Sequence, residues 1–311
     1  MSVNLDTNQE ERALGMQWDV VNDSFFLKVD VHDVPTTKRG ILKVTSSIFD
    51  LLGFMTPFVL KAKMILQELW RRKCEWDSVI DQDIQKIWKN WKANMKDISE
   101  IKIQRCYTGS DEQNVEKIEL HIFCDASNLA FGCVAYLRFC YIDGRFRTSF
   151  VMAKSKLAPI RTMSLPRLEL SSAVSAVRLC KLILNELELE INQVYFWTDS
   201  TLNLQYISNE KFRFKTFVAN RIAEIHENTD RNQWKHIPGN MNPADLVTRG
   251  VTVPSDLLKE NKFGTCWLRG PAFLTTNIDW PHQIELSGNE SIVHDQDVNR
   301  NLLTDSQNGI G

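Results

Sequence analysis

The sequence predicts a mixed α/β sheet with helices on its faces in the second half of the chain, behind a mainly helical first part. Three observations point there. From Lys117 onward the pattern runs strand, strand, strand, helix, strand, helix, helix, strand, helix. Residues 36–96 instead repeat apolar side chains at helical spacing. A polar, aperiodic segment, 97–117, lies between them and reads as a linker.

Residues 13–31 alternate apolar and polar around an Asn-Asp-Ser turn and read as a β-hairpin. Ile41, Val44, Ile48 and Leu51/Leu52 then form one helical stripe, ended by Gly53 and Pro57. Val59, Ala62, Ile65/Leu66 and Leu69/Trp70 form a second stripe, and Ile84, Ile87/Trp88 and Trp91 a third. Beyond the linker, KIELHIFCDAS, GCVAYLRFCYI and RTSFVMAKSKL are three strands of an antiparallel meander, joined at the Asn128 region and at Asp143-Gly144. A long amphipathic helix spans 167–187, with Leu170, Ala173/Val174, Val177, Cys180 and Leu184 on one face. VYFWTD is a buried-type strand, and Ser200 is placed to cap the helix TLNLQYI. A helix over 215–227, a short strand QWKHI, a Pro238-Gly239 turn and a last helix opened by NPADLV complete the unit.

At 311 residues the chain has room for two domains. Its 43% apolar and 24% charged residues are ordinary for globular protein, so each half is expected to bury a core of its own. No run approaches the ~18–20 apolar residues of a membrane span, and the start lacks the features of a secretory signal. Seven cysteines without CxxC or zinc-finger spacing imply reduced thiols in an intracellular protein. The net charge of −2 announces no nucleic-acid partner, but local runs are basic. Residues 35–74 hold Lys38, Arg39, Lys43, Lys61, Lys63, Arg71, Arg72 and Lys73 against Asp50 and Glu68, and 151–168 hold Lys154, Lys156, Arg161 and Arg167 with no acid. Taken alone, such runs are most simply solvated faces. The segment from 284 is polar and acidic and reads as a disordered tail or linker.

Four acids stand out by position. Asp125 ends an apolar strand, and Asp199 ends a second one. A charge there is costly unless the strand emerges at a site, and strand ends are where ligands sit in open sheets. Glu169 and Asp245 each fall in the first turn of a helix. Taken singly, each has an ordinary reading: a dipole-favoured surface carboxylate for the helix pair, an Asx turn or cap for the strand pair.

The ordered segments FCDAS, LPRLEL, WTDS and HIPGNMNPADLVTRG resemble the ribonuclease H region of retroelement polymerases, most closely the Pao/BEL class of LTR retrotransposons. Upstream, LGMQWD and TTKRGILKVTSSIFDLLGFMTPFVLKAKMILQELWRRKCEWD are similar to the region after the polymerase palm of that class, often labelled a Pao retrotransposon peptidase. Downstream, CWLRGPAFL and DWP extend the likeness over residues 13–282. It implies a ribonuclease H-like mixed sheet flanked by helices. It also implies an organisation of palm end or primer-grip-like hairpin (1–34), helical thumb/connection-like region (35–110), ribonuclease H-like domain (111–250), C-terminal extension (251–283) and tail (284–311).

The implied activity is two-metal hydrolysis of the RNA strand of RNA–DNA hybrids, with Asp125, Glu169, Asp199 and Asp245 holding two Mg2+ or Mn2+. Hybrid or primer-template duplex and the rest of the retroelement polyprotein are the implied partners, in the cytoplasm or in virus-like particles, without a membrane. Ser127, Asn128, Ser200 and Asn203 beside the acids, and Lys154, Lys156 and Arg167 in the basic stretch, are candidate nucleic-acid contacts; Ser127 and Asn128 read equally as turn formers.

Two departures from the family pattern stand out. The histidine that many ribonucleases H carry after this Pro-Gly is Asn240, and His236, before the turn, reads as structural. The usual Asp-Pro-Leu-Gly is Asp50-Leu51-Leu52-Gly53, which is expected to loosen a helix end. No YxDD motif is present, so no polymerase site is expected. The alternative is a catalytically weak nucleic-acid-binding remnant. An aspartic peptidase is disfavoured because neither Asp-Thr-Gly nor Asp-Ser-Gly occurs.

Overall fold

The computed structural model describes residues 10–13, 16–29, 33–109, 112–210, 212–276, 280–284 and 297–298. Its centre is a five-stranded mixed sheet built from β5 (Val115–Ala126), β6 (Ala130–Tyr141), β7 (Phe146–Leu157), β8 (Gln193–Thr198) and β9 (Trp234–His236), in the order β7-β6-β5-β8-β9. The first three strands form the expected antiparallel meander, while β8 and β9 run parallel to β5. Parallel pairing demands a crossover. Helix α4 (Leu165–Glu186) supplies it and covers one face of the sheet together with α5 (Thr201–Ser208) and α6 (Thr216–Asn228). Leu170, Ala173, Val177 and Cys180 of α4 are buried as the periodicity predicts, but Leu184 is 46% exposed, because Ile183 beside it takes the inward position.

The other face is covered by the first part of the chain. Helices α1 (Lys38–Ser47), α2 (Thr56–Arg71) and α3 (Gln82–Asn94) bury Ile41, Val44, Phe58, Ile65, Leu69, Trp88 and Trp91 in one cluster with Phe123, Val134, Tyr136, Phe150 and Trp197 of the sheet. The expectation of a separate core for each half is therefore not met. The helical part packs onto the back of the sheet and shares its core. Trp70 and Ile87, predicted on buried stripes, are exposed, because only Leu69 and Trp88 beside them point at the cluster. The hairpin of β2 (Met16–Asp19) and β3 (Ser24–Phe26) is flanked by β1 (Glu10–Ala13) and closed by β4 (Ile103–Gln104). Segment 97–117 is thus no bare linker: it returns a strand to the hairpin.

At Asp50-Leu51-Leu52-Gly53 the missing proline does not loosen α2. The Asp50 carboxylate accepts from the backbone N–H groups of Gly53, Phe54 and Met55 at 3.1, 2.9 and 2.8 Å, satisfying donors at the helix start. Leu52 then accepts a main-chain bond from Ala153 of β7. Gly53 sits at φ +82°, where a Cβ would lie 2.3 Å from the Ala153 carbonyl oxygen, so only glycine allows the close approach.

After β9, α7 (Asp245–Arg249) leads into an extension of β10 (Thr265–Cys266), β11 (Gly270–Pro271) and α8 (Ala272–Thr275). Trp267 locks the extension to the start of α2 by donating to the Phe54 carbonyl at 2.7 Å. Of the tail, Ile284, Asp297 and Val298 are described; Asp297 and Val298 are buried, Val298 pairing with Phe214. The rest of the tail expectation lies outside the described residues. Among the described residues no helix is long and apolar enough to cross a membrane.

Candidate acidic site at the sheet edge

The parallel register sets the first two acids side by side. Cys124 of β5 is opposite Thr198 of β8, so Asp125 and Asp199 each follow a paired position at the same edge of adjacent strands. Neighbouring strands are about 4.8 Å apart. Glu169 comes to the same edge from the second turn of α4, not the first as expected, because the helix starts earlier, at Leu165; Asp245 is the first residue of α7.

Three of the four carboxylates are held by a named side chain. Thr248 donates its hydroxyl to Asp125 Oδ2 at 2.8 Å. Ser200 donates to Glu169 Oε2 at 2.6 Å while accepting from the Asn203 N–H at the start of α5. Arg249 Nε reaches Asp245 Oδ1 at 2.5 Å. Asn242 donates to the Cys124 carbonyl at 3.1 Å and accepts from the Ala244 N–H, tying the loop before α7 to the strand that carries Asp125. Gly239 is packed so closely that a Cβ there would meet Asp199 Oδ2 at 3.0 Å.

The electrostatics show that the four acids share one field. Burial, then the charges of Asp199 and Asp245, push Asp125 up to about 7, against the pull of the Thr248 hydroxyl. Burial, with Glu169 and Asp245 adding repulsion, lifts Asp199 to about 6. Glu169 is raised by burial and by Asp125, with Ser200 opposing. Such mutual elevation marks a site short of positive charge. The donor set, four carboxylates with neither sulfur nor imidazole, fits hard divalent cations that take oxygen ligands. The side chains are not closed around an ion as they stand. Among the described residues no three His, Cys, Asp or Glu groups are spaced to hold one. Arg249 takes one oxygen of Asp245, and hydroxyls take one oxygen each of Asp125 and Glu169.

The other predicted contacts are less uniform. Ser127 forms its turn, accepting from the N–H groups of Leu129 and Ala130 and donating to the Thr248 carbonyl, while Asn128 is exposed beside it. Ser200 is buried and fully engaged, so it positions Glu169 and does not face a strand. Asn203 is at 0% exposure and cannot touch a nucleic acid there; its position on the inner face of α5 decides this. Lys154 and Lys156 are exposed on edge strand β7. Arg167 makes a two-pronged pair with Asp297 at 2.9 and 2.5 Å. Much of the basic run 35–74 is committed to partners within the chain, mostly in ion pairs at the surface. Lys38 is buried 3.4 Å over Trp70, Arg39 pairs with Asp77, Arg71 with Glu68, and Arg72 with Glu68, Asp81 and Asp83. His236 is half-buried and hydrogen-bonded to the Asp199 main chain, with burial lowering its pKa.

Thr248, Arg249 and Asn242 were not singled out in the sequence. The signal was available in the spacing, since Thr248 and Arg249 follow Asp245 by three and four residues and share its helix face.

A family model described as a Pao retrotransposon-like RNaseH-like domain matches residues 37–200. Similar solved structures include a foamy viral protease-reverse transcriptase in complex with double-stranded DNA, at 14% identity and TM-score 0.42 over 73% of this chain. This chain covers 37% of that protein's length. RNase H1 from the halophilic archaeon Halobacterium salinarum is another, at 10% identity and TM-score 0.26 over 40% of this chain and 90% of that one. No curated protein matches the sequence.

Proposed function

The chain belongs to the family of Pao retrotransposon-like RNaseH-like domains, and from that premise we propose that it is a ribonuclease H of a reverse-transcribing element, cutting the RNA strand of RNA–DNA hybrids as an endonuclease. The observation that supports this most is the meeting of Asp125, Glu169, Asp199 and Asp245 in one field at the sheet edge, with Asp125 pushed up to about 7 and Asp199 to about 6.

Asp125, Glu169, Asp199 and Asp245 would together hold the two Mg2+ or Mn2+. When bound, such a pair activates water and stabilises the departing 3′-oxygen of a phosphodiester. The chain's own groups do the rest. Thr248 and Ser200 aim the carboxylates of Asp125 and Glu169, and Asn242 fixes the loop that carries Asp245. Asn128, exposed at the turn, would meet the strand, and Lys154 and Lys156 would take phosphates. The 2′-hydroxyl in the shallow minor groove would distinguish RNA from DNA. The helical region at 35–110 is read as thumb and connection, packed on the back of the catalytic sheet. The partners would be hybrid or primer-template duplex and the rest of the polyprotein, in the cytoplasm or in virus-like particles.

The competing reading is a catalytically weak nucleic-acid-binding remnant. Asn240 in place of the loop histidine favours it, as does Arg249 seated on Asp245. Cleavage of RNA–DNA hybrid against duplex DNA, with Mg2+ or Mn2+ titrated in, separates the two. Metal-dependent cutting of the RNA strand that disappears in Asp125→Asn supports the nuclease. Activity that survives this substitution would remove it.

A further inference from the structure

Arg249 is a cation that reaches into the acidic edge. Its Nε is 2.5 Å from Asp245 Oδ1, one helical turn earlier, and its charge also pulls on Asp199. The side chain is 73% exposed, and its terminal nitrogens make no hydrogen bond among the described residues. The helix beneath it is fixed. Thr248 binds Asp125, Ser155 donates to the Val247 carbonyl at 2.7 Å, and a Cβ on Gly250 would lie 2.7 Å from the Pro57 carbonyl oxygen. A rigid base with a solvent-side guanidinium lets the charge turn without the backbone moving. The turn after Pro238-Gly239 offers no charge of its own, since Asn240 is exposed there and its carbonyl accepts from Asn261 at 3.1 Å.

We propose that Arg249 is a displaceable counter-ion for Asp245, which gives up that carboxylate to a divalent cation and turns its guanidinium to a phosphate of the bound strand. The inference rests on the ribonuclease H reading and adds a role for this side chain. Arg249 and a divalent ion carry like charge and compete for the one Asp245 carboxylate, so ion uptake weakens the pair. Released, the planar fork of five N–H donors suits a phosphate better than a lysine would. The exchange makes ion uptake and strand contact successive uses of one side chain.

Calorimetric titration of Mn2+ into the full chain tests the first half without any cleavage. Arg249→Gln removes the competitor and is expected to bind the ion roughly two- to fivefold more tightly, the worth of an exposed ion pair. Hybrid binding in Ca2+, followed by anisotropy across a salt series, tests the second half. The Arg249→Gln slope is expected to be shallower by about 0.9, one phosphate contact, while Arg249→Lys keeps it. Unchanged or weaker ion binding in Arg249→Gln overturns the counter-ion role, and an unchanged salt slope overturns the phosphate contact. If Asp125→Asn takes up the ion as wild type does, the ribonuclease H reading itself falls, and this role with it.

Discussion

The hydroxyl of Thr248 donates to the carboxylate of Asp125 at 2.8 Å, although the two residues are 123 positions apart. Thr248 is fully buried and Asp125 nearly so. The bond joins the helix that carries Asp245 to the strand that carries Asp125, so two of the four acids are placed by one contact. Thr248→Val keeps the shape and removes the donor. A hydrogen bond to a charged group is worth about 1.5–3 kcal/mol, so the cleavage rate is expected to fall at least tenfold. The donor favours the ionised carboxylate, so losing it raises the Asp125 pKa above its value of about 7. The acid limb of the pH–rate profile should therefore move to higher pH, and Thr248→Ser should restore it. A profile that keeps its position would leave Thr248 a packing residue only.

Asp125 and Asp199, together with Asp50, which burial lifts to about 6, carry much of the pH dependence of the metal-free chain. The folded values of Asp125 and Asp199, about 7 and about 6, lie above the ordinary 3.8, because burial and mutual repulsion penalise the ionised forms. Acids raised on folding contribute stability that is complete below about pH 4 and lost as pH rises through about 6 to 7. Without divalent ions, the melting temperature is expected to decline between pH 5 and pH 8. Millimolar Mg2+ binds the ionised form, so it should raise the melting temperature more at pH 8 than at pH 5. Asp125→Asn should weaken both effects, leaving the contributions of Asp50 and Asp199. A metal-free melting temperature that climbs over this range would contradict the assignment.

Much of the sheet was legible because its signals are local. Period-two alternation, the Asp143-Gly144 turn and the long stripe of α4 each announce themselves within a few residues. The placement of the helical region was not. Whether Leu69 or Trp70 faces inward depends on a sheet surface more than fifty residues further on, to which only Leu69 points. Gly53 looked like a helix stop, and its meeting with Ala153 is visible only once β7 is in place. At the site, the four acids could be chosen from segment contexts, but their holders could not. Thr248 is one polar residue among many until the fold brings Asp125 to it, and Ser200, legible as a helix cap, shows its hold on Glu169 only there.

A second buried polar network lies further along β5 and is structural. Glu119 Oε2 accepts from Arg138 at 2.9 Å and from His121 Nε2 at 3.2 Å, while Trp197 Nε1 donates to His121 Nδ1 at 3.1 Å. Because Nδ1 accepts, the proton of the neutral ring sits on Nε2. Burial pushes Glu119 up, but His121, Lys117 and Arg138 outweigh it and hold the carboxyl at about 2. Glu119→Gln leaves Arg138 buried without its counter-charge and is expected to cost about 3–5 kcal/mol near neutrality, read from urea midpoints. A depressed acid lends stability above its unfolded value of about 4.5 and loses it as pH falls toward about 2. The gap between wild type and variant should therefore narrow in acid, and a gap independent of pH would mean that charge is not what Glu119 contributes.

Asn203 tests the difference between sequence context and structure. Its neighbourhood beside Asp199 suggested a strand contact, yet its side chain is at 0% exposure and neither amide atom has a hydrogen-bond partner among the described residues. An unpaired buried amide costs about 1–3 kcal/mol. Leucine has the same branched, four-heavy-atom side-chain shape and suits a helix interior better. Asn203→Leu is therefore expected to raise the urea midpoint while leaving hybrid affinity and its salt dependence unchanged. The substitution leaves the backbone N–H that Ser200 accepts from, so the hold on Glu169 stays. Loss of hybrid affinity with unaltered stability would restore Asn203 to the binding surface. A lower midpoint would instead place an ordered water on the amide.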